Sequence, residues 1–538
     1  MNPAPPSSDA EFLRRVSIDI IGRIPRPEEV HAFLEDLNPA KREAYVDKLL
    51  ASPSFVDNWT HFFADHFEVT SNYYNVIGEV GRNKFYFYLR DFISRDRSYK
   101  DVATELITVS GDSQQNGLVN FLVRMWQNGD PVQDTYDALA DRITTKFLGI
   151  KTQCVSCHNG SRHLESINYY LAARKRTEFW QMSSFLSQIS LTQMPVDAFS
   201  RQQKFVVSDR KATGYSSSVN PSNPGPRPYR YGGPYTPAYM FTGEVPRNEN
   251  WRDEFARILT SDRQFARATV NYVWAHFFTT GIVDPPDAWD LSRQDPANPP
   301  SGILGLQPSH PELMEALASD FIASNYSIKH LVRMIAQSSA YQLSSNYEGT
   351  WKPEYAVLFA KHQPRRMSAE EVYDSVITAT RTETPMYIAG FPTPILYAMQ
   401  LPDVSEPGNY YSPTPASYTS NNTIRSFLAN FGRGDWNTVE HNSKSTVIQT
   451  LFTMNDNSMV FRTFATRDAP GATLISHLAQ TAMPDDETVR QLFLATLSRY
   501  PTDDEMRISL TYKKPSRETW LSDLQWALLN KLDFIFNY

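Results

Sequence analysis

Hydrophobic residues recur at helical spacing along most of the chain. At its start Phe12, Leu13, Val16 and Ile20 form one apolar stripe, and Ser8 with Glu11 three residues later has the pattern of a capping box. In "RIPRPEEVHAFLEDL" Pro27 stands where a first-turn proline belongs, and Val30, Phe33 and Leu34 make the stripe of a second helix. "KREAYVDKLLASPSFVDNWTHFFADHFEV" predicts two amphipathic helices broken at Pro53. "DTYDALADRITTKFLGIKTQC" predicts a helix that stops at Gly149, a residue suited to the left-handed cap. The period returns in "WRDEFARILTS", "QFARATVNYVWAHFF", "HPELMEALASDFIAS" and "SIKHLVRMIAQSSAYQL", and again in "STVIQTLFTMN", "DETVRQLFLATLSR" and "TWLSDLQWALLNKLDFIF".

Two stretches break this pattern. From about 204 to 245 the chain reads "GYSSSVNPSNPGPRPYRYGGPYTPAY", and from about 383 to 443 it is again rich in Pro, Tyr, Ser and Asn. The expectation is a mainly α protein with two helical domains, long Pro/Tyr-rich ordered loops and little or no sheet. The first domain is placed at 1–203, a linker or long loop at 204–245, and the second domain at 246–538 with an irregular insertion near 383–443. No fixed-period repeat and no long heptad run is present.

Composition narrows the function classes. With 538 residues the chain exceeds one ordinary core, and 36 prolines against 22 glycines fit ordered rather than slack loops. The net charge is −7 and no long Lys or Arg run occurs, so nucleic acid is not an expected partner. No apolar stretch approaches the length of a membrane span. There is no G-x-S-x-G, no phosphate-cradling glycine loop and no nucleotide fingerprint, which leaves hydrolase and kinase readings without a foothold.

The chemistry concentrates in "FLGIKTQCVSCHNGSRH", which holds both cysteines of the chain. Cys154, Cys157 and His158 form C-x-x-C-H, the pattern of covalent haem attachment: two thiols spaced for the two vinyl groups and a neighbouring imidazole for iron. In that reading the cofactor is haem c and His158 is the proximal ligand. Met194, in the loop-like "LTQMPVD", is the candidate for the opposite axial position, with Met182 behind it. His163 follows too soon to carry the chain around a haem edge. The helix bearing Leu139, Ile143 and Phe147 is expected to wall one haem face, and the segment 179–197 with the aromatic loop beyond 204 to cover the other. Closed iron implies an electron carrier with a redox partner protein; open iron implies a small-molecule reaction.

Two other readings use the same residues. The cysteines can form a disulfide or a thiol pair stapling a loop in a cofactor-free binding or assembly module. They can also join His158 or His163 around zinc, a site that needs a fourth ligand from elsewhere. Other constellations read as packing: His61, Asp65 and His66 on an aromatic helix face, and His276 beside Trp274 on an apolar helix. "PSHPEL" reads as a helix entry, with Ser309 or His310 capping and Pro311 in the first turn. The tyrosine-rich loops could stack on sugar rings, so carbohydrate joins the candidate partners.

Taken together, "DAEFLRRVSIDIIGRIPRPEEVHAFL", "KREAYVDKLLASPSF" and "FLGIKTQCVSCH" resemble the planctomycete-type cytochrome-associated domain. "QFARATVNYVWAHFFTTGIVDPPD", "PSHPELMEALASDFIASNYSIKHLVRMIAQSSAYQ", "RRMSAEEVYDSV", "ATLSRYPTDDE" and "DLQWALLNKLDFIFNY" resemble its usual partner, the planctomycete-type C-terminal domain. The resemblance covers nearly the whole chain. It implies bacterial origin, export and the company of cytochrome-c-like modules, for domains without an established function. The family's Asp-His pair after the motif histidine is not matched, since this chain reads "NGSRHLE" there. "MNPAPPSSDAEF" lacks the basic start and apolar core of a signal peptide, so an extracytoplasmic, periplasmic location is expected together with a leader that these residues do not include.

Overall fold

A computed structural model describes residues 2–71, 78–127, 129–197, 203–302, 304–408, 421–434, 462–463 and 473–538. The helix expected at "STVIQTLFTMN" and part of the 383–443 insertion lie outside the described residues. The protein is mainly α-helical. The first helices are α1 (Asp9–Ile21), α2 (Pro27–Glu35), α3 (Lys41–Leu50), α4 (Pro53–His66), α5 (Gly78–Ser94), α6 (Tyr99–Thr108) and α7 (Val119–Val123). Then come α8 (Val132–Leu148), α9 (Gln153–Cys157), α10 (Tyr169–Ala172), α11 (Arg176–Ser183), α12 (Trp251–Ser261), α13 (Arg263–Phe278), α14 (Pro311–Ala323), α15 (Ile328–Gln337), α16 (Ala369–Thr380) and α17 (Asn421–Asn430).

The local signals act as the sequence predicts. Ser8 accepts the Glu11 amide at 3.2 Å, Gly22 ends α1 in the left-handed region, Pro27 opens α2, and α3 and α4 are separated before Pro53. The carboxylate of Glu11 does not complete the capping box. It is buried and binds Arg15 at 2.6 Å, the Ser344 hydroxyl at 3.0 Å and the Ser345 amide at 2.6 Å.

In space the chain forms two compact units, one of residues 1–63 with 333–538 and one of residues 64–332. The units are not the two sequence halves, because the irregular stretch 204–245 lies within the second unit and both ends of the chain lie in the first. What gathers the ends of the chain into the first unit is a row of polar residues on α1. Arg14 donates to the Phe534 carbonyl at 2.7 Å, and Arg15 donates to the Tyr538 and Tyr341 carbonyls at 3.1 and 2.6 Å. Asp19 is fully buried and accepts from Tyr341 Oη (2.6 Å), Arg365 Nη2 (2.8 Å) and Asn537 Nδ2 (2.7 Å). Beside it Arg365–Arg366 (β4) pairs antiparallel with Phe536–Asn537 (β5). Ile18, Val372, Val376, Phe427, Leu492 and Trp520 belong to the apolar core that these contacts enclose.

The second unit is built on an aromatic core. Phe147 of α8 lies 5.8–6.2 Å, ring centre to ring centre, from Phe67, Phe121, Tyr99 and Phe265. The sequence pattern did not predict its sheet, Gly111–Asp112 (β1), Ile189–Pro195 (β2) and Gln203–Asp209 (β3), in the order β1-β3-β2. Two ionisable clusters sit at the end of α4. Glu68 binds Arg124, Arg142 and Lys146 at 3.0, 2.8 and 2.9 Å, and although burial opposes it, these cations hold its carboxyl far below the usual range. His66 packs against Tyr272 at 4.7 Å, its Nε2 lies 3.1 Å from the Lys146 carbonyl, and burial lowers it from 6.5 to about 3. This places His66 in the packing role read from the aromatic helix face.

Replacing Asp19 with Ala strands Tyr341, Asn537 and one side of Arg365 in a buried site. The expected loss is about 3 kcal/mol in urea unfolding, and a loss within experimental error would contradict the role given to Asp19. Acid sensitivity follows from His66 and Glu68 with one sign. His66 is neutral when folded and ordinary at 6.5 when unfolded, so its stabilisation is complete above pH 6.5 and declines as pH falls toward 3. The Glu68 contribution declines only below its unfolded value of 4.5. The loss of stability between pH 6.5 and 4.5 should be smaller in His66→Phe than in the parent protein, measured by urea unfolding across that interval. An unchanged slope in that variant would refute the assignment.

Candidate functional site

The C-x-x-C-H segment is presented by the turn that ends α8. Gly149, at φ +68°, reverses the chain, and a Cβ there would stand 2.5 Å from Trp289 Cδ1. Thr152 then returns to α8: its amide and hydroxyl both donate to Asp141 Oδ1, at 2.7 and 3.2 Å. The short α9 that follows buries Val155 and Ser156, leaves Cys154 exposed and leaves Cys157 half-buried. Both are free thiols. His158 donates its amide to the Cys154 carbonyl at 3.1 Å and is half-buried.

The ring of His158 has a defined tautomer. Nδ1 lies 2.8 Å from the Asn159 carbonyl, which can only accept, so Nδ1 carries the proton and Nε2 carries the lone pair. His163 lies beside it with ring centres 4.4 Å apart and planes at 47°. The bend between them requires Gly160, because a Cβ at that position would stand 1.8 Å from the Leu171 carbonyl oxygen.

Two arginines support the motif from behind. Arg176 is buried and donates to the carbonyls of Ser156 (2.8 Å), Tyr229 (2.6 Å) and Pro228 (2.6 Å), while its amide holds the Asn159 side chain at 2.8 Å. Its guanidinium also stands over Trp180 at 4.6 Å. Arg227 bonds the Ser156 hydroxyl and pairs with Asp134 at 3.2 Å. Behind them Arg230 binds both Asp134 and Asp137, and Asp137 also accepts from Tyr215 Oη at 3.0 Å and Ser183 Oγ at 2.9 Å. The aromatic loop is thereby fastened to α9, with Tyr229 and Tyr231 exposed on it.

Sequence reasoning named Cys154, Cys157 and His158, and the structure brings them together. It did not find Arg176, Arg227, Arg230, Asp134 or Asp137. Asp134 and Asp137 stand one turn apart on α8, and the signal for their partners is the pair of arginines inside a proline- and tyrosine-rich loop. Met194 does not lie in a loop: it is on β2, opposite Lys204 in register and more than a third exposed. Met182 is fully buried on α11, which packs against α9. Leu139, Ile143 and Phe147 are fully buried in the core, so the apolar wall expected from α8 is already covered by protein. Among the described residues no group of three or more His, Cys, Asp and Glu is placed to hold a metal ion, and no helix is long and apolar enough to cross a membrane.

The architecture is mainly α, and both cysteines of the chain stand in a C-x-x-C-H beside an arginine-held loop. Comparison with known families makes this specific. Residues 1–190 match PSCyt2, described as a protein of unknown function (DUF1549), and residues 251–512 match PSD1, described as a protein of unknown function (DUF1553). The chain carries these two domains in the order of the planctomycete-type pair. No curated protein and no solved structure gives a significant match.

Arg176 holds α9, Asn159 and the loop at once, so its replacement should loosen the motif without touching a thiol. In a Cys154→Ala background, Arg176→Met should raise the alkylation rate of half-buried Cys157 by about tenfold or more, the equivalent of losing one or two hydrogen bonds. An unchanged rate would show that the three carbonyl contacts do not fix α9.

Proposed function

We propose that this chain is an extracytoplasmic c-type cytochrome-like protein, serving electron transfer or haem-dependent redox chemistry. The observation that carries the reading is the His158 tautomer: the Asn159 carbonyl fixes the proton on Nδ1 and leaves Nε2 as the ligating nitrogen, next to two unbridged thiols. The donor set fits haem c. Cys154 and Cys157 would each add across one vinyl group, sulfur to the inner carbon and hydrogen to the terminal one, a step that needs no oxidant. His158 would hold iron from the proximal side. The haem, when bound, supplies a one-electron couple.

The surroundings contribute what the donors lack. Arg176 and Arg227 fix α9 from its buried side, so the thiols keep their spacing while their outward side stays open. Cover for an attached group would have to come from outside α8, and the exposed Tyr229 and Tyr231 stand on the loop tied to the motif. A redox protein or a small molecule is the partner that follows from such an exposed site.

Protein produced with a haem-maturation system should retain haem through denaturation and show a pyridine haemochrome spectrum of the two-thioether type. Cys154→Ala with Cys157→Ala should abolish retention, and His158→Ala should keep the covalent haem but alter its ligation spectrum. Absence of covalent haem under those conditions would overturn the proposal. A chain two hydrogens lighter by non-reducing mass spectrometry would then identify the cofactor-free disulfide module, and retained zinc the structural metal site.

A further inference from the structure

The second unit contains a cavity of about 700 Å³ that no residue of the cysteine motif lines. It opens between α13, the stretch 289–296 and the start of α14. Its apolar lining is Trp289, Pro296, Pro308, Pro311 and Leu313. Its polar lining begins with a row in which Arg267 donates from Nε to Glu315 at 2.5 Å and from Nη1 to Gln294 at 3.0 Å. Ser309, His310 and Glu312 complete the polar lining.

Size and charge restrict the occupant. A space of this volume falls within the range of small-ligand sites, larger than a metal ion or a single water needs. Arg267 and Arg263 share Glu315 at 2.5 and 2.6 Å, and Glu312 in the lining supplies a second carboxylate, so two cations face two anions and no net positive charge is offered to an anion. Glu312 is exposed at the first turn of α14, where the positive end of the helix offsets its charge. Burial lowers His310, which keeps it neutral near pH 7. The cavity is therefore close to neutral, with amide, hydroxyl, imidazole and carboxylate groups alternating with proline rings. Alternation of apolar plates and paired donors and acceptors suits a ring that carries hydroxyls at its edge and C–H bonds on its faces.

We propose that this cavity is a binding site for a neutral sugar, a mono- or disaccharide unit. Gln294 and Glu312 bind its hydroxyls, and the Pro308–Pro311 and Leu313 surface takes its apolar face. The proposal is independent of the haem reading, because no residue of the cysteine motif lines the cavity.

Isothermal titration with maltose, cellobiose and lactose tests it, with glucuronic acid and glucosamine as charged counterparts. At least one neutral disaccharide should bind saturably and better than either charged sugar. Leu313→Trp, which fills the cavity, and Glu312→Ala, at an exposed position, should each weaken that binding about tenfold or more while the melting temperature is kept. The proposal is overturned if none of the three neutral sugars binds saturably, if a charged sugar binds best, or if affinity is unchanged in both variants. Loss of folding in Leu313→Trp leaves Glu312→Ala to decide.

Discussion

The candidate site depends on two carboxylates one turn apart on the buried side of α8. Asp134 and Asp137 are almost without exposure, and a buried carboxylate persists only when its charge is matched and its oxygens are bonded. Arg230 matches both, and Arg227 reaches Asp134 from the same loop. Burial raises the Asp137 carboxyl, against the pull of Arg227 and Arg230. Buried ion pairs of this kind add little stability over an apolar substitute, but removing one partner is costly, so they fix a unique register more than they add strength. Here the register is that of an irregular, proline-rich loop. A loop lacking helix or strand ladders has few ways to hold one conformation, and the arginines supply it.

From that anchor the geometry passes outward by direct contacts. Arg227 bonds the Ser156 hydroxyl and Arg176 bonds the Ser156 carbonyl, so the one buried polar residue between the cysteines is held on both its side chain and its backbone. Ser156 is thus a fixed point from which Cys154 and Cys157 project. An apolar residue at position 156 would bury equally well and keep the Arg176 bond through its carbonyl, but it would lose the bond to Arg227. The spacing of the thiols is set by the short helix, and its orientation by the arginines.

Helices were legible in the sequence because each carries its own signals. Ser8, Pro27, Gly149 and Pro311 sit at the ends they predict, for reasons confined to a few neighbouring residues. The two-unit arrangement was not legible, since it rests on contacts such as Arg14 with Phe534 and Asp19 with Asn537, separated by some five hundred residues and invisible to local periodicity. The β2–β3 hairpin was missed because "ISLTQMP" alternates only weakly and ends in proline, a composition that reads equally as loop. For the site the division is similar. The cysteines and His158 are adjacent in sequence and were found; the arginines that hold them are 20 to 75 residues away and were not.

The same distinction explains why His158 and not His163 is the chemically defined imidazole of the pair. A ring nitrogen becomes a dependable ligand when its partner nitrogen has a fixed hydrogen bond. Asn159 supplies that bond through its backbone, and its side chain is in turn held by the Arg176 amide at the start of α11. Asn159 thus orients the His158 ring through its backbone, while Gly160 makes the close approach to Leu171 that lets Asn159 sit there. His163 has the proximity but not the support: it is exposed, and the hydrogen bond resolved for it is that of its backbone amide to the Gly160 carbonyl. The orientation of the His158 ring is thus set by the backbone around it, which the Arg176 amide holds through Asn159.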